Sequence, residues 1–359
     1  FSQIGNEEVT NGDFSQEGSE EVTNGDFATD SNWNKSGGAT ISGGQANIDG
    51  DGTSFTSITQ SGVFTNGKKY KVTVDVTINS GLGLKFQDGA NNENIGFVTT
   101  SGSYEFYFTA TSNTSFVIGR RTGGTPFDSS VDNVSVKEVG QDWTFGDGWS
   151  MGNGFATCNG TQSSASYLLQ NLVLPTPNQY LVTFEVSNYA SGNVKFGFSS
   201  LTSSPFGTAR TANGVYTETF THDINTIALR FRASDDFVGD IDNISVKEVG
   251  QGWTFGTGWS TDGTKAIAGS GSDGNFLYSA QSLVVGKTYK VSFSAIVSSG
   301  AVRVYSGGFT GINGDSTNSF SGSFVAANTL FGFYSSVFDG SVDNIVVQEL
   351  KHDATNLML

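Results

Sequence analysis

The stretch Val131-Asp-Asn-Val-Ser-Val-Lys-Glu-Val-Gly-Gln141 decides how this chain is organised. It recurs 110 residues later as Ile241-Asp-Asn-Ile-Ser-Val-Lys-Glu-Val-Gly-Gln251. A third version, Val342-Asp-Asn-Ile-Val-Val-Gln-Glu-Leu350, lies near the end of the sequence. Self-similarity at so long a period predicts homologous units placed in tandem rather than one large core.

Two further markers recur with the same spacing. Trp143-Thr-Phe-Gly-Asp-Gly-Trp149 returns as Trp253-Thr-Phe-Gly-Thr-Gly-Trp259, and Tyr70, Tyr180 and Tyr289 each open a similar apolar run. We therefore predict five segments along the chain. They are an N-terminal arm over 1–19, modules over 20–139, 140–249 and 250–350, and a C-terminal tail over 351–359.

The arm contains a shorter repeat of its own. Phe1-Ser-Gln-Ile-Gly-Asn-Glu-Glu-Val-Thr-Asn-Gly-Asp13 is followed directly by Phe14-Ser-Gln-Glu-Gly-Ser-Glu-Glu-Val-Thr-Asn-Gly-Asp26. Only one copy fits the first module, so the other is expected to be spare. We predict that Glu7, Glu8, Val9 and Phe14 form a strand that completes the sheet of a neighbouring subunit. A linker or a recombination scar is the alternative.

Each module has the pattern of short β-strands. Apolar and polar residues alternate from Tyr70 to Val76 and from Tyr180 to Val186, which is the period of a half-buried strand. Clusters of Gly, Asn, Ser and Asp separate the runs and are typical of turns. The predicted fold is all-β, with three tandem jelly-roll β-sandwich domains preceded by an N-terminal strand repeat.

Composition excludes several classes of function. The 359 residues include 34 acidic and 18 basic side chains, for a formal charge of −16. That balance argues against a nucleic-acid partner and against an acidic membrane surface, and no apolar run is long enough for insertion into a membrane. The single cysteine, Cys158, rules out a disulfide framework, and only two histidines, His222 and His352, are available. With no GxSxG, HExxH or P-loop motif, we expect no enzymatic activity.

The module pattern resembles the jelly-roll carbohydrate-binding modules of families 4, 9 and 22, and galactose-binding-like domains generally. The resemblance is carried by Asn24-Gly-Asp-Phe27 before Trp33, Gly67-Lys-Lys-Tyr-Lys-Val72 and Val131-Asp-Asn-Val-Ser-Val136. Tandem modules of this type are similar to those of phage tail fibres, other virion surface proteins and bacterial adhesins. The resemblance implies an extracellular or virion-surface location.

The resemblance also implies a structural Ca²⁺ between the first and last strands of a module. Carried over, it points to Asp26 with Asp132, and to Asp142 with Asp242. In the third module Asp343 remains, but Gly252 stands where the second acid would be. Asp-Asn turns that bond only local backbone are the alternative.

A glycan surface is the other candidate site. Lys85, Lys195 and Arg303 share one module position, and Tyr107 and Tyr305 are outward aromatics on nearby strands. Cations of this kind suit uronic, sialic or sulfated sugars, although a solvated strand face explains them equally well. Trp33, Trp149 and Trp259, and likewise Phe27, Trp143 and Trp253, recur at what we take to be equal positions, which favours core packing.

These observations predict a non-enzymatic structural or adhesion protein, a fibre or decoration component that contacts cell-surface glycans through several weak sites and forms homo-oligomers. One alternative is a filament subunit joined by exchange of N-terminal strands. A further alternative is the glycan-binding accessory region of a polysaccharide-degrading enzyme.

Overall fold

The computed structural model describes residues 4–89, 94–111, 114–121, 123–175, 178–199, 206–222, 226–269 and 271–350. Within these ranges every element of regular secondary structure is a β-strand. No helix in the described part of the chain is long and apolar enough to cross a membrane. Their buried apolar side chains form three separate clusters. Each cluster lies inside a β-sandwich, so the prediction of an all-β chain of tandem jelly rolls is confirmed. The C-terminal tail and His352 lie outside the described residues.

Two short strands, β1 (Ile4–Glu7) and β2 (Glu17–Glu20), come from the two copies of the N-terminal repeat. The first sandwich follows them. Its strands are β3 (Asn34–Ser36), β4 (Thr40–Ser42), β5 (Gln45–Gly50), β6 (Ser57–Gln60), β7 (Lys69–Ser80), β8 (Leu84–Gln87), β9 (Gly96–Val98), β10 (Gly102–Thr109), β11 (Phe116–Arg120) and β12 (Phe127–Val139). One sheet has the order β10-β7-β12-β5-β4 and the other β3-β6-β11-β8-β9.

The second sandwich repeats this plan. Its strands are β13 (Thr144–Phe145), β14 (Trp149–Gly152), β15 (Phe155–Asn159), β16 (Ser166–Leu174), β17 (Asn178–Ser191), β18 (Val194–Ser199), β19 (Gly214–His222), β20 (Thr226–Ala233) and β21 (Val238–Val249). The sheets have the orders β14-β15-β21-β17-β19 and β13-β16-β20-β18.

The third sandwich joins strands that are separate in the other two. Its strands are β22 (Trp253–Phe255), β23 (Trp259–Thr261), β24 (Ala266–Ala268), β25 (Phe276–Ser279), β26 (Thr288–Tyr305), β27 (Phe309–Gly314), β28 (Asn318–Val325) and β29 (Phe331–Glu349). Both β26 and β29 run through the two layers, and their pairing shifts register around Ser299. Val337 adopts a φ of 54° beside this irregularity, where the long strand bends between layers.

The alternation in the sequence explains which side chains fill the sandwiches. Along β7, Tyr70 and Val72 are at most 1% exposed, while the polar residues between them face outward. The same alternation runs along β17 and the first half of β26. Burying one such aromatic or aliphatic side chain contributes roughly 1.5–3 kcal/mol, so the Phe-rich inner faces provide most of the driving force.

Successive sandwiches contact each other through the residue just before the repeated tyrosine, at the start of β7 and of β17. The side chain of Gln179 is 3% exposed. Its Nε2 donates to the carbonyl of Trp259, and its Oε1 accepts from the N–H of Thr261. At the preceding junction Lys69 lies over the ring of Phe145, 4.5 Å from its centroid. The contact sites therefore match in position but differ in chemistry.

Candidate functional site

The two copies of the N-terminal repeat dock on two different sandwiches of the same chain. β2 pairs with β12 of the first sandwich, with Glu20 opposite Lys137. β1 pairs with β21 of the second sandwich, with Glu7 opposite Lys247. The sequence suggests that the first copy is spare, and this expectation is wrong, because the copy pairs with β21. It supplies the strand that the second sandwich lacks, because the chain enters that sandwich directly from β12.

Each copy of the repeat thus forms an arm on one sandwich. A glutamate in each arm accepts a hydrogen bond from the backbone of that sandwich's last strand. Glu7 Oε1 accepts from the N–H of Val246 at 2.7 Å, and Glu7 Oε2 accepts from Ser245 Oγ. Glu20 makes the matching contacts with Val136 and Ser135. The predicted assembly residues thus have a defined role within one chain. Glu8 donates its N–H to the Val246 carbonyl, and Val9 is buried in the second core.

A glutamine in each sandwich binds the next turn of the arm. Gln170 accepts from the N–H of Thr10 at 3.0 Å and donates to its carbonyl at 2.7 Å. Gln60 does the same for Thr23. Two residues on, the carbonyl of Gly12 accepts the N–H of Ile244. A side chain at Gly12 has no room, since a Cβ there would lie 2.0 Å from the Ile244 carbonyl oxygen.

The arm ends in a phenylalanine that enters the core beside a tryptophan. Phe14 lies 5.2 Å from Trp143, and Phe27 lies 5.5 Å from Trp33, measured between ring centroids. The tryptophan Nε1 groups donate to the carbonyls of Asn11 and Asn24, respectively.

These pairs correct the sequence alignment of the aromatic residues. The position of Trp33 corresponds to Trp143 and Trp253, because the residue after each pairs with the matching strand. Phe27 corresponds to Phe14. The sequence aligns Phe27 with Trp143 and Trp253 because each lies near the opening of its module. That alignment fails because the second sandwich takes its first strand from a distant segment, the first copy of the repeat.

The docked arm also changes the predicted calcium ligands. The arm carboxylate whose charge acts on Asp242 is that of Asp13, whereas Asp142 lies at the junction with the first sandwich. Burial raises the pKa of Asp242, and the charges of Glu185 and Asp13 add to that effect. Among the described residues, no three His, Cys, Asp or Glu side chains form a group suited to a metal ion.

The remaining acids of this prediction make local contacts. Asp132 accepts from the N–H of Asn133, and Asp26 from that of Ala28. Asp343 is only partly buried. Calcium binding stays a prediction.

A platform of aromatic side chains covers the outward face of the third sandwich. Phe276 lies at its centre, with ring centroids 4.9–5.0 Å from those of its nearest neighbours. These side chains alternate with buried residues such as Leu277 and Phe333, so they face away from the core. We call this set the aromatic platform; it consists of Phe276, Tyr278, Tyr305, Phe309 and Tyr334.

The platform combines exposed ring area with free polar groups. Phe309 is 55% exposed, and the Arg303 guanidinium lies over its ring, 5.6 Å from the centroid. Among the described residues, no group hydrogen-bonds the hydroxyls of Tyr278, Tyr305 or Tyr334. Such a surface offers ring stacking, hydroxyl hydrogen bonds and one cation to a ligand.

The three predicted basic residues do occupy matching positions. Arg303 pairs with Tyr334, Lys195 with Arg232 and Lys85 with Gly119, in each case on the same pair of central strands. In the second sandwich this face is more basic. There Arg230 lies 5.3 Å from the Tyr167 ring and 4.7 Å from the Phe206 ring.

In the first sandwich the same face carries two exposed rings, each beside a cation. Lys85 lies over Phe55, and Arg121 lies over Phe97 with its guanidinium carbon 3.6 Å from the centroid. Tyr107, in contrast, is on the other sheet and packs against the core of the second sandwich. Burial raises its pKa to about 12. It therefore belongs to the junction and not to an outward face.

The sequence reading identified Arg303 and Tyr305 but missed the other four platform residues. Tyr334 and Phe309 lie in runs that alternate imperfectly, where the strands bend. The signal that was available is the triplet Phe276-Leu-Tyr278, in which two aromatics flank one aliphatic residue.

The single cysteine lies in the core of the second sandwich. Cys158 is buried, and burial raises the pKa of its thiol.

No protein-family model matches this chain, and no curated protein matches it. Among solved structures, it is similar to the CBM22-1–CBM22-2 tandem domain of Paenibacillus barcinonensis Xyn10C, at 10% identity and a TM-score of 0.27, covering 69% of this chain and 99% of that one. Allantoicase from Saccharomyces cerevisiae matches at 6% identity and a TM-score of 0.25, over 55% and 79%. A structure of Sulfolobus Turreted Icosahedral Virus matches at 12% and 0.19, over 89% and 92%. At these values the similarity carries no information about a ligand.

Proposed function

We propose that this chain is a non-enzymatic structural and adhesion protein of an extracellular or virion surface, and that it contacts glycans through the aromatic platform of its third sandwich. The observation that carries the proposal is the cluster of outward rings around Phe276, with Arg303 at its margin. Soluble domains seldom leave so much aromatic area on one sheet face without a ligand.

The chemistry of the platform indicates which glycans suit it. The flat apolar side of a pyranose ring stacks on an aromatic ring, while tyrosine hydroxyls bond the sugar hydroxyls. Arg303 provides a bidentate donor for a carboxylate or sulfate. We therefore expect a glycan with an uncharged stacking unit next to an acidic one. The basic faces of the first two sandwiches would add weaker contacts to the same polymer.

Binding of the purified full chain to a glycan array, followed by calorimetry with the best ligand, tests this proposal. Tyr305→Ala is expected to weaken binding about tenfold or more, as truncation of a central aromatic does in other interfaces. Val215→Ala is the control, because Val215 is 68% exposed on β19, in the sheet of the second sandwich that does not carry the basic face. Equal effects of the two substitutions, or no glycan bound at all, would reject the proposal.

The alternative, a filament subunit joined by exchanged arms, has its own support. Both arms are held in place by non-covalent contacts, so an arm could leave its own chain and bind another. The two docking sites are also nearly identical in their contacts. Light scattering over a range of protein concentrations distinguishes this alternative. A mass that rises with concentration and falls when residues 1–16 are deleted would favour the filament.

A further inference from the structure

The third sandwich has the edge to which arms bind in the other two, but none of the described residues forms an arm that covers it. Val347 of β29 lies opposite Val291, as Val136 lies opposite Val72 and Val246 opposite Val182. Residues 345–349 pair with β26 on one side. On the other side no strand among the described residues pairs with them.

The uncovered edge leaves apolar side chains exposed that are buried elsewhere. Val136 and Val246 are both 0% exposed beneath their arms, whereas Val347 is only partly buried. Leu350 is 42% exposed. Its counterparts in the other two sandwiches are Val139 and Val249, at 4% and 2%.

The backbone of the edge is also oriented for pairing. In the second sandwich the N–H of Val246 donates to the Glu7 carboxylate, and its carbonyl accepts from Glu8. Because Val347 has the same register against its inner neighbour, its N–H and carbonyl point outward in the same way. An edge with open donors, open acceptors and apolar side chains is a template for a further strand.

The side chains around this edge match those of the second sandwich only in part. Trp253 stands where Trp143 receives Phe14, so the aromatic receptor is kept. The residues that hold the arm glutamate are not. Val346 stands in place of Ser245, and Gln348 in place of Lys247. Ser279 takes the place of Gln170.

We propose that the edge of the third sandwich binds an extended peptide segment of the arm type. This segment has a valine, a glycine and a phenylalanine spaced as Val9, Gly12 and Phe14 are, and an uncharged residue where Glu7 stands. The valine and phenylalanine cover Ile345, Val347 and Trp253. The glycine permits the close approach of the two backbones, as Gly12 does at Ile244.

The uncharged residue follows from the loss of polar partners. A glutamate beside Val346 would be desolvated without the serine hydroxyl that binds it in the other two sandwiches, and this costs binding free energy. A threonine at that place fits the apolar neighbour and still offers an oxygen to the Val347 N–H. The charge of the segment therefore decides which sandwich it binds.

The test uses the full chain, in which both natural arms already occupy their sites, and two fluorescent peptides. One has the sequence of residues 4–16, and the other has the same sequence with Glu7→Thr. We expect the Glu7→Thr peptide to bind at least tenfold more tightly in an anisotropy titration. Val347→Pro removes the outward N–H and is expected to abolish binding, with thermal unfolding used to check that the variant folds.

A second variant keeps the test decisive if the proline perturbs folding. Val346→Ser with Gln348→Lys rebuilds the polar receptor of the other sandwiches on two exposed positions. It should reverse the preference, so that the peptide with the native Glu7 binds more tightly. Val325→Ser is the control, because Val325 is 60% exposed on another strand.

Three outcomes would overturn the proposal. In the first, neither peptide binds at millimolar concentration, and in the second, the preference stays the same in the variant with Val346→Ser and Gln348→Lys. In the third outcome the chain forms a dimer that Val347→Pro dissociates and the peptides do not, which would mean that a second copy covers the edge.

Discussion

Glu7 closes the second sandwich from 239 positions away: its carboxylate accepts the N–H of Val246 at 2.7 Å. The last strand of that sandwich therefore receives its neighbour from the far end of the chain. Contacts of such long sequence separation form late in folding, because a long loop must close first. The second core is completed only when an arm located before the first sandwich reaches past it.

Removing this anchor is expected to loosen the arm. Glu7→Ala leaves the N–H of Val246 and the hydroxyl of Ser245 without their acceptor, and we expect it to lower the free energy of unfolding by about 1–3 kcal/mol. Glu7→Gln retains an acceptor oxygen and should recover part of the loss. Denaturant unfolding with tryptophan fluorescence measures the change, because Trp143 packs against the arm.

The control for this substitution is Asn6→Ala, on the exposed side of the same short strand. Equal losses for Asn6→Ala and Glu7→Ala would mean that the carboxylate is not the anchor.

Backbone approach at the arm glycine provides an independent prediction. A Cβ at Gly12 would lie 2.0 Å from the carbonyl oxygen of Ile244, and one at Gly25 would lie 1.9 Å from that of Val134. Gly12→Ala should therefore detach the arm from the second sandwich, at a cost of about 3 kcal/mol or more as Phe14 and Val9 lose their burial. Limited proteolysis should then cleave within residues 4–16.

Gly152→Ala tests the specificity of that result. No atom lies within 4 Å of a Cβ at Gly152, which is also in an edge strand of the second sandwich. It should resist proteolysis as the native chain does. Cleavage of both variants, or of neither, would contradict the docked position of the arm.

How far the sequence predicts this structure depends on the range of the contacts. Alternation along Tyr70–Val76 and its counterparts predicts the strands and their inward residues, because a strand turns successive side chains to opposite faces. The partner of the first arm was not predictable in this way. Phe14 and Phe27 follow identical Asn-Gly-Asp sequences, and nothing local shows that one enters the first core and the other the second.

The candidate site divides in the same way. The shared position of Lys85, Lys195 and Arg303 follows from repeat alignment alone. The aromatic platform depends instead on the bend of β26 and β29, which brings Tyr305 and Tyr334 beside Phe276. A bend set by irregular pairing near Ser299 has no simple sequence signal. The place of Asp142 before Trp143 predicts it as the ligand, whereas the charge that acts on Asp242 is that of Asp13 in the arm.

The junction between the second and third sandwiches depends on Gln179. Gln179→Ala would leave the buried N–H of Thr261 without an acceptor, and we expect a loss of about 1–3 kcal/mol. The loss should appear mainly in the transition of the third sandwich, so calorimetry that resolves separate transitions is the suitable measurement. Gln45→Ala, at a half-buried position of the first sandwich, is the control. A uniform shift of all transitions would argue against a local junction effect.

Charge at the arm-binding edge gives the last prediction. Burial, Glu185 and Asp13 together raise the pKa of Asp242 above its ordinary value of 3.8, while Ser15 holds the pKa of Asp13 low, so that Asp13 stays ionised. An acid whose pKa is raised by folding destabilises the folded state wherever it is ionised. Asp242→Asn removes that charge, and its side-chain oxygen still accepts from the N–H of Asn243.

The variant should therefore unfold at a higher temperature than the native chain at pH 7. The difference should shrink as the pH falls through the raised pKa and vanish well below the ordinary value of 3.8, where the native carboxyl is protonated in both states. Thermal unfolding of both proteins from about pH 2.5 to 7.5 measures it. Asp51→Asn is the opposite control, because the Thr53 side chain and backbone lower the pKa of Asp51. A stabilisation by Asp242→Asn that did not change with pH would show that ionisation of the Asp242 carboxyl is not its cause.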